Sequence, residues 1–78
     1  NPFNPSTTIS FSLSTEQKEN AEIQVYNTKG QKVDVLSIDS VQDDSVVWNA
    51  KRFASGVYFY KLVADGKEVD TRKMLLLK

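Results

Sequence analysis

The side chains in this sequence that could do chemistry are almost all carboxylates, and they lack the partners that chemistry needs. His and Cys are absent, so the usual general base, the usual metal ligand and any thiolate nucleophile are missing together. Asp39, Asp43 and Asp44 share one polar stretch, and oxygen clusters of that kind can hold calcium. Their spacing lacks the glycine and the bidentate glutamate of the helix–loop–helix calcium site, so a solvated loop is expected. Glu22, Asp34, Glu68 and Asp70 invite comparison with a glycosidase, which needs two acids flanking a cleft. Alternation scatters these four in surface phase, and no active site is expected. Ser55-Gly56 has neither the Gly-x-Ser-x-Gly setting of a nucleophile elbow nor a His to activate the hydroxyl. Trp48, Tyr58, Phe59 and Tyr60 could stack sugar rings, although aromatics on alternating strands more often pack a core or a sheet face. The chain is expected to be no enzyme and to hold no cofactor and no metal.

The elements that would position any site must fit into 78 residues. A chain of that length forms one domain over residues 1–78 and buries only roughly 60–65% of its unfolded surface. Ten basic and ten acidic side chains cancel, which argues against nucleic acid as a partner. The longest apolar run, Met74-Leu75-Leu76-Leu77, falls far short of the roughly 20 residues of a membrane-spanning helix. The first residue is Asn1 with no charged-then-apolar leader before it, which fits a piece of a longer polypeptide.

Period-two alternation recurs along the chain in short runs divided by turn residues, the pattern of an antiparallel all-β fold. Thr8 to Leu13 turns Ile9, Phe11 and Leu13 one way, and the polar stretch from Ser14 to Asn20 follows as a loop. Ala21 to Tyr26 turns Ala21, Ile23 and Val25 inward. Asn27-Thr28-Lys29-Gly30 reads as a tight turn, with Gly30 accepting a positive φ. Lys32 to Ile38 places Val33 inward together with either Val35 or Leu36, depending on a bulge. Asp39 to Asp44 reads as loop, and Ser45 to Asn49 sets Val46 and Trp48 on one face.

In Gly56-Val57-Tyr58-Phe59-Tyr60-Lys61-Leu62 the inward set is Tyr58, Tyr60 and Leu62, since the other choice buries a Lys. That choice turns Phe59 outward. Gly-x-Tyr-x-Tyr also matches the tyrosine corner of immunoglobulin-like sandwiches. Asp65-Gly66 predicts a type I′ hairpin between Leu62-Val63-Ala64 and Lys67-Glu68-Val69, and a last run continues to Leu77. The expected fold is an Ig-like or fibronectin III-like antiparallel β-sandwich of six to seven strands. A small SH3-like or OB-like barrel is the alternative. The expected core is Ile9, Phe11, Ile23, Val25, Val33, Val46, Trp48, Tyr58, Tyr60 and Leu62.

Both ends of the sequence stand out. Asn1-Pro2-Phe3-Asn4-Pro5 alternates Asn with Pro, which imposes an extended strand poor in hydrogen bonds. Arg72-Lys73-Met74-Leu75-Leu76-Leu77-Lys78 is an apolar run bracketed by basic residues. Alternation gives Met74 and Leu76 one face and Leu75 and Leu77 the other, so both faces are apolar. This segment reads equally as an edge strand completing a sheet and as a strand offered to a receptor. A dimer mate, paired weakly through the same strand, would also cover the surplus face.

Asn-Pro-Phe-Asn-Pro-Ser-Thr-Thr-Ile-Ser-Phe-Ser-Leu over residues 1–13 resembles the opening of the type A C-terminal sorting domain of the type IX (Por) secretion system. So do Val25-Tyr26-Asn27, Gly30-Gln31-Lys32-Val33, Trp48-Asn49, the run from Ser55 to Leu62, and Lys73 to Lys78, in order and spacing. The flagellar hook-capping-type Ig-like domain is similar too. The resemblance implies a seven-stranded Ig-like sandwich at the C-terminus of a larger exported hydrolase or adhesin. Such a domain is read by outer-membrane secretion-machinery proteins after export into the periplasm, and the product is secreted or held at the cell surface. A surface peptidase then cuts before the domain, or the domain is retained. Carried over by residue, partner recognition would fall to Gly30, Gln31, Lys32 and Val33, and to Lys73, Met74, Leu75, Leu76, Leu77 and Lys78. Family members commonly have Asp-Gly or Asp-Ala after the Trp, where this chain has Asn49-Ala50. The alternative is a structural or carbohydrate-binding accessory module of a secreted hydrolase, packed against its parent domains.

Overall fold

The computed structural model describes residues 6–13, 20–38 and 44–77. The Asn/Pro strand at 1–5, the loop at 14–19, Asp39, Asp43 and Lys78 lie outside the described residues. Six strands follow in order: β1 (Ser6–Ser10), β2 (Ala21–Tyr26), β3 (Lys32–Ser37), β4 (Ser45–Asn49), β5 (Gly56–Ala64) and β6 (Lys67–Leu76). They form two antiparallel sheets, β1-β4 and β3-β2-β5-β6, and the fold is an all-β sandwich. The first strand begins and ends earlier than the Thr8–Leu13 run. Beyond it, the Phe11 amide still donates to the Asp44 carbonyl at 3.0 Å.

Each sheet contributes the apolar half of its alternation to one shared core. Ile9 and Trp48 come from the small sheet; Ile23, Val25, Tyr58, Leu62 and Leu76 come from the large one. Of the expected core, Phe11, Val33, Val46 and Tyr60 are only partly buried but pack against it. Ile38, Ala50, Ala64 and Leu76 are buried without having been in the expected core, two of them outside any strand. Trp48 is the centre of an aromatic cluster. Its ring centroid lies 5.2 Å from Phe53 and 5.3 Å from Tyr58, tilted or edge-on, as ring quadrupoles favour.

The turns follow their residue chemistry. Asp65 and Gly66 both have positive φ, 53° and 76°, which is the type I′ pair that matches strand twist. In the β2–β3 turn the Gly30 amide donates to the Asn27 carbonyl at 3.0 Å, and Gly30 takes φ 82°. Tyr58 forms the corner that its motif predicts: its hydroxyl donates to the Ala54 carbonyl at 2.7 Å. Asn49 Oδ1 accepts the Lys51 amide at 3.2 Å, a bond that an Asp would accept equally, so Asn in place of Asp after the Trp leaves this turn intact.

Two bulges break the alternation, and each moves a carboxylate. In β3 the register runs Tyr26↔Lys32 and then Val25↔Asp34, so Val33 is the extra residue. Val33 and Leu36 therefore face inward and Val35 is left outside, which resolves the open phase of this strand. Asp34 turns inward as well, where its Oδ2 accepts the Trp48 indole N–H at 2.9 Å across the two sheets. In β6 the register passes from Leu62↔Asp70 to Val63↔Glu68, leaving Val69 as the extra residue. Asp70 then shares the side of Leu62. The surface phase expected for Asp34 and Asp70 is thus corrected, because one inserted residue flips everything beyond it.

Candidate partner-recognition surface

Among the described residues the carboxylates are engaged in separate local bonds. Asp34 is committed to Trp48, and Glu68 takes Lys61 Nζ at 3.6 Å and the Thr71 hydroxyl at 2.9 Å. Asp70 Oδ2 accepts Arg72 Nε at 2.8 Å, and this bond, reinforced by the carboxylate charge, raises the already high pKa of the guanidinium. Both line a cleft of about 350 Å³ with Ser10, Phe11, Tyr60 and Leu62. Among the described residues no three acidic side chains come together as a metal site. The four aromatics considered for sugar stacking do not share a surface: Trp48 and Tyr58 are buried, and Phe59 lies on the opposite side of β5 from Tyr60.

The described residues named for partner recognition lie in the β2–β3 turn, at the start of β3, and on β6 with Leu77 just past its end. These sit at opposite edges of the four-stranded sheet, yet the register joins them. Lys32 pairs with Tyr26, Tyr26 with Phe59, and Phe59 with Lys73, giving one row across the whole sheet. At the usual strand spacing that row is about 14 Å long. It lies on the outer face, away from the core, for neither Tyr26 nor Phe59 packs against the buried cluster. A depression of about 240 Å³ beside it is lined by Tyr26, Asn27, Gly30, Phe59, Lys61 and Thr71. Lys61 Nζ sits 4.8 Å above the Tyr26 ring, a cation–π contact.

Not every named residue presents itself to a partner. Gln31 is tied into the turn: its amide donates to Asn27 Oδ1 at 3.0 Å, and Asn27 Nδ2 donates to its side-chain oxygen at 2.8 Å. Gly30 supplies the backbone conformation, and Val33 packs on the core. Lys32 is the outward member of that group. In β6, Met74 is half-buried and Leu76 buried on the inner side, while Lys73, Leu75 and Leu77 are exposed. Leu75 and Leu77 stand 60% and 69% exposed, large values for leucine. Asn27 and Tyr26 were not among the named positions. The outward phase of Tyr26 in its strand was the available signal for it, and the turn preference of Asn was the signal for Asn27.

No described helix is long and apolar enough to cross a membrane. No curated protein and no solved structure matches the chain. A family profile described as the secretion system C-terminal sorting domain matches residues 1–77. That match spans nearly the whole sequence, both sheets and both edges of the outer face. The chain therefore belongs to the secretion system C-terminal sorting domain family, a type IX signal for export across the outer membrane to the cell surface or beyond.

Proposed function

We propose that residues 1–78 act as one non-catalytic sorting unit, attached to a larger exported protein and read by outer-membrane secretion proteins through β6 and the outer face beside it. Family membership supports the sorting role. The observation that carries the choice of site is the state of β6. Among the described residues it pairs with β5 alone, at the edge of the sheet, and it directs Leu75 away from the core with Leu77 exposed just beyond. A free edge with apolar side chains is an aggregation liability that a soluble domain normally avoids, and a receptor that covers it gives the liability a purpose. Gly30 and Gln31 act indirectly, by holding the turn that presents Lys32.

The test is a periplasmic reporter fused to residues 1–78 in a cell that carries the secretion system, with surface delivery as the readout. Delivery of the intact fusion is expected. Deleting Leu75 to Lys78 should abolish it, but that deletion also removes the buried Leu76. Leu75→Thr with Leu77→Thr is therefore the sharper variant, because both side chains lie outside the core. Full delivery by a folded double variant would sink the assignment to this strand.

A further inference from the structure

We propose that the outer face of the four-stranded sheet docks a protein partner that presents acidic side chains beside an apolar patch. This deepens the sorting reading and rests on it. The face is graded along the strands. At one end Val57 pairs with Leu75, and both are exposed. Next comes the row Lys32–Tyr26–Phe59–Lys73, two aromatic rings between two ammonium groups. Lys61 and Thr71 follow, and Glu22 and Glu68 close the far end.

The two ends of the gradient differ in how far they are already satisfied. The acidic end is bonded within the domain. Tyr26 Oη donates to Gln24 Oε1 at 2.7 Å, and Gln24 Nε2 donates to Glu22 at 2.6 Å. Glu68 takes Lys61 and Thr71. The basic row has no such compensation: among the described residues Lys32 and Lys73 make no ion pair. Two cations that flank two half-buried rings and are unpaired among the described residues attract carboxylates.

The aliphatic end decides the class of partner. Acidic sugars stack on rings and bond to cations but gain little from Val57, Leu75 and Leu77. A protein surface with carboxylates next to an apolar patch complements the whole gradient. The row spans both edges of the sheet, so the partner reads the turn and the terminal strand together. It would therefore distinguish the folded domain from an unfolded chain that carries the same segments.

Charge reversal in the reporter fusion separates this surface from the sorting reading itself. Purified Lys32→Glu/Lys73→Glu should melt like the parent domain, since among the described residues neither side chain has an ion pair to lose. Its surface delivery should fall about tenfold or more, because like charges at an interface repel strongly. Lys32→Gln/Lys73→Gln should fall between the two. Lys67→Glu, at the distant hairpin, should be delivered normally. Delivery of Lys32→Glu/Lys73→Glu at the parent level would overturn the proposal, as would an equal loss in Lys67→Glu, which would mean a dependence on net charge alone. Failure of the intact fusion to reach the surface would count against the sorting reading, on which this one depends. Titration of the domain with polygalacturonate, a soluble acidic glycan, tests the class of partner. Saturable binding lost in Lys32→Glu/Lys73→Glu would overturn the assignment to protein.

Discussion

The two faces of the four-stranded sheet are built from the same strands and similar kinds of residue, yet only one of them is closed. On the inner face Ile23, Val25, Tyr58 and Leu62 meet Ile9 and Trp48 of the other sheet, and even the polar groups find partners there. On the outer face Tyr26, Phe59, Val57 and Leu75 have no second sheet above them among the described residues. The difference teaches that aromatic content does not mark the core of a small sandwich. Whether a second sheet lies opposite decides it.

The largest expected break in that comparison comes from Trp48→Ala. A fully buried indole lost from the centre of the aromatic cluster, with Asp34 left unpaired, should cost about 3–5 kcal/mol in urea denaturation. A loss below about 1 kcal/mol would place little of the stability on the inner face. Tyr58→Phe is gentler. It keeps the ring and removes the bond to Ala54, so a loss of about 1 kcal/mol is expected, read as a lower urea midpoint with an unchanged slope. The smallest effect belongs to the outer face. Leu75→Thr should shift stability by no more than about 0.5 kcal/mol, since the side chain touches no core residue and Thr suits a strand. A loss comparable to that of Trp48→Ala would show that the outer face is load-carrying and would erase the contrast between the faces.

Much of the inner face was legible from the residues. Alternation fixed the inward set of β5, because the rival set would have buried Lys61, and it placed Ile23, Val25 and Trp48 correctly. The hairpin at Asp65-Gly66 and the Tyr58 corner were legible for local reasons, positive φ in one case and a backbone bond four residues away in the other. The bulge at Val69 was not foreseen and that in β3 was left open, since an extra residue is defined only against a paired strand. Asp34 and Asp70 changed sides for that reason alone. Ala50 was missed because it is buried from a loop, where no period exists to reveal an inward side, whereas Ile38 shares the phase of Leu36, which the β3 run had left open.

The candidate surface divides in the same way. The sequence by itself determined its ingredients: a turn held by Asn27, Gly30 and Gln31, and a terminal strand with leucines on both faces. Period two set Met74 and Leu76 on one face and Leu75 and Leu77 on the other, because covalent geometry sends successive side chains to opposite sides. The pairing of β6 with β5 decided which face is outward. Tertiary structure decided that these two segments share a row. Lys32 and Lys73 stand 41 positions apart in the chain, and only the order β3-β2-β5-β6 with its registers aligns them through Tyr26 and Phe59. Strand order and register are set by which pairings bury the inner face best and by where the bulges fall. Both are properties of the assembled sheets that no single strand contains.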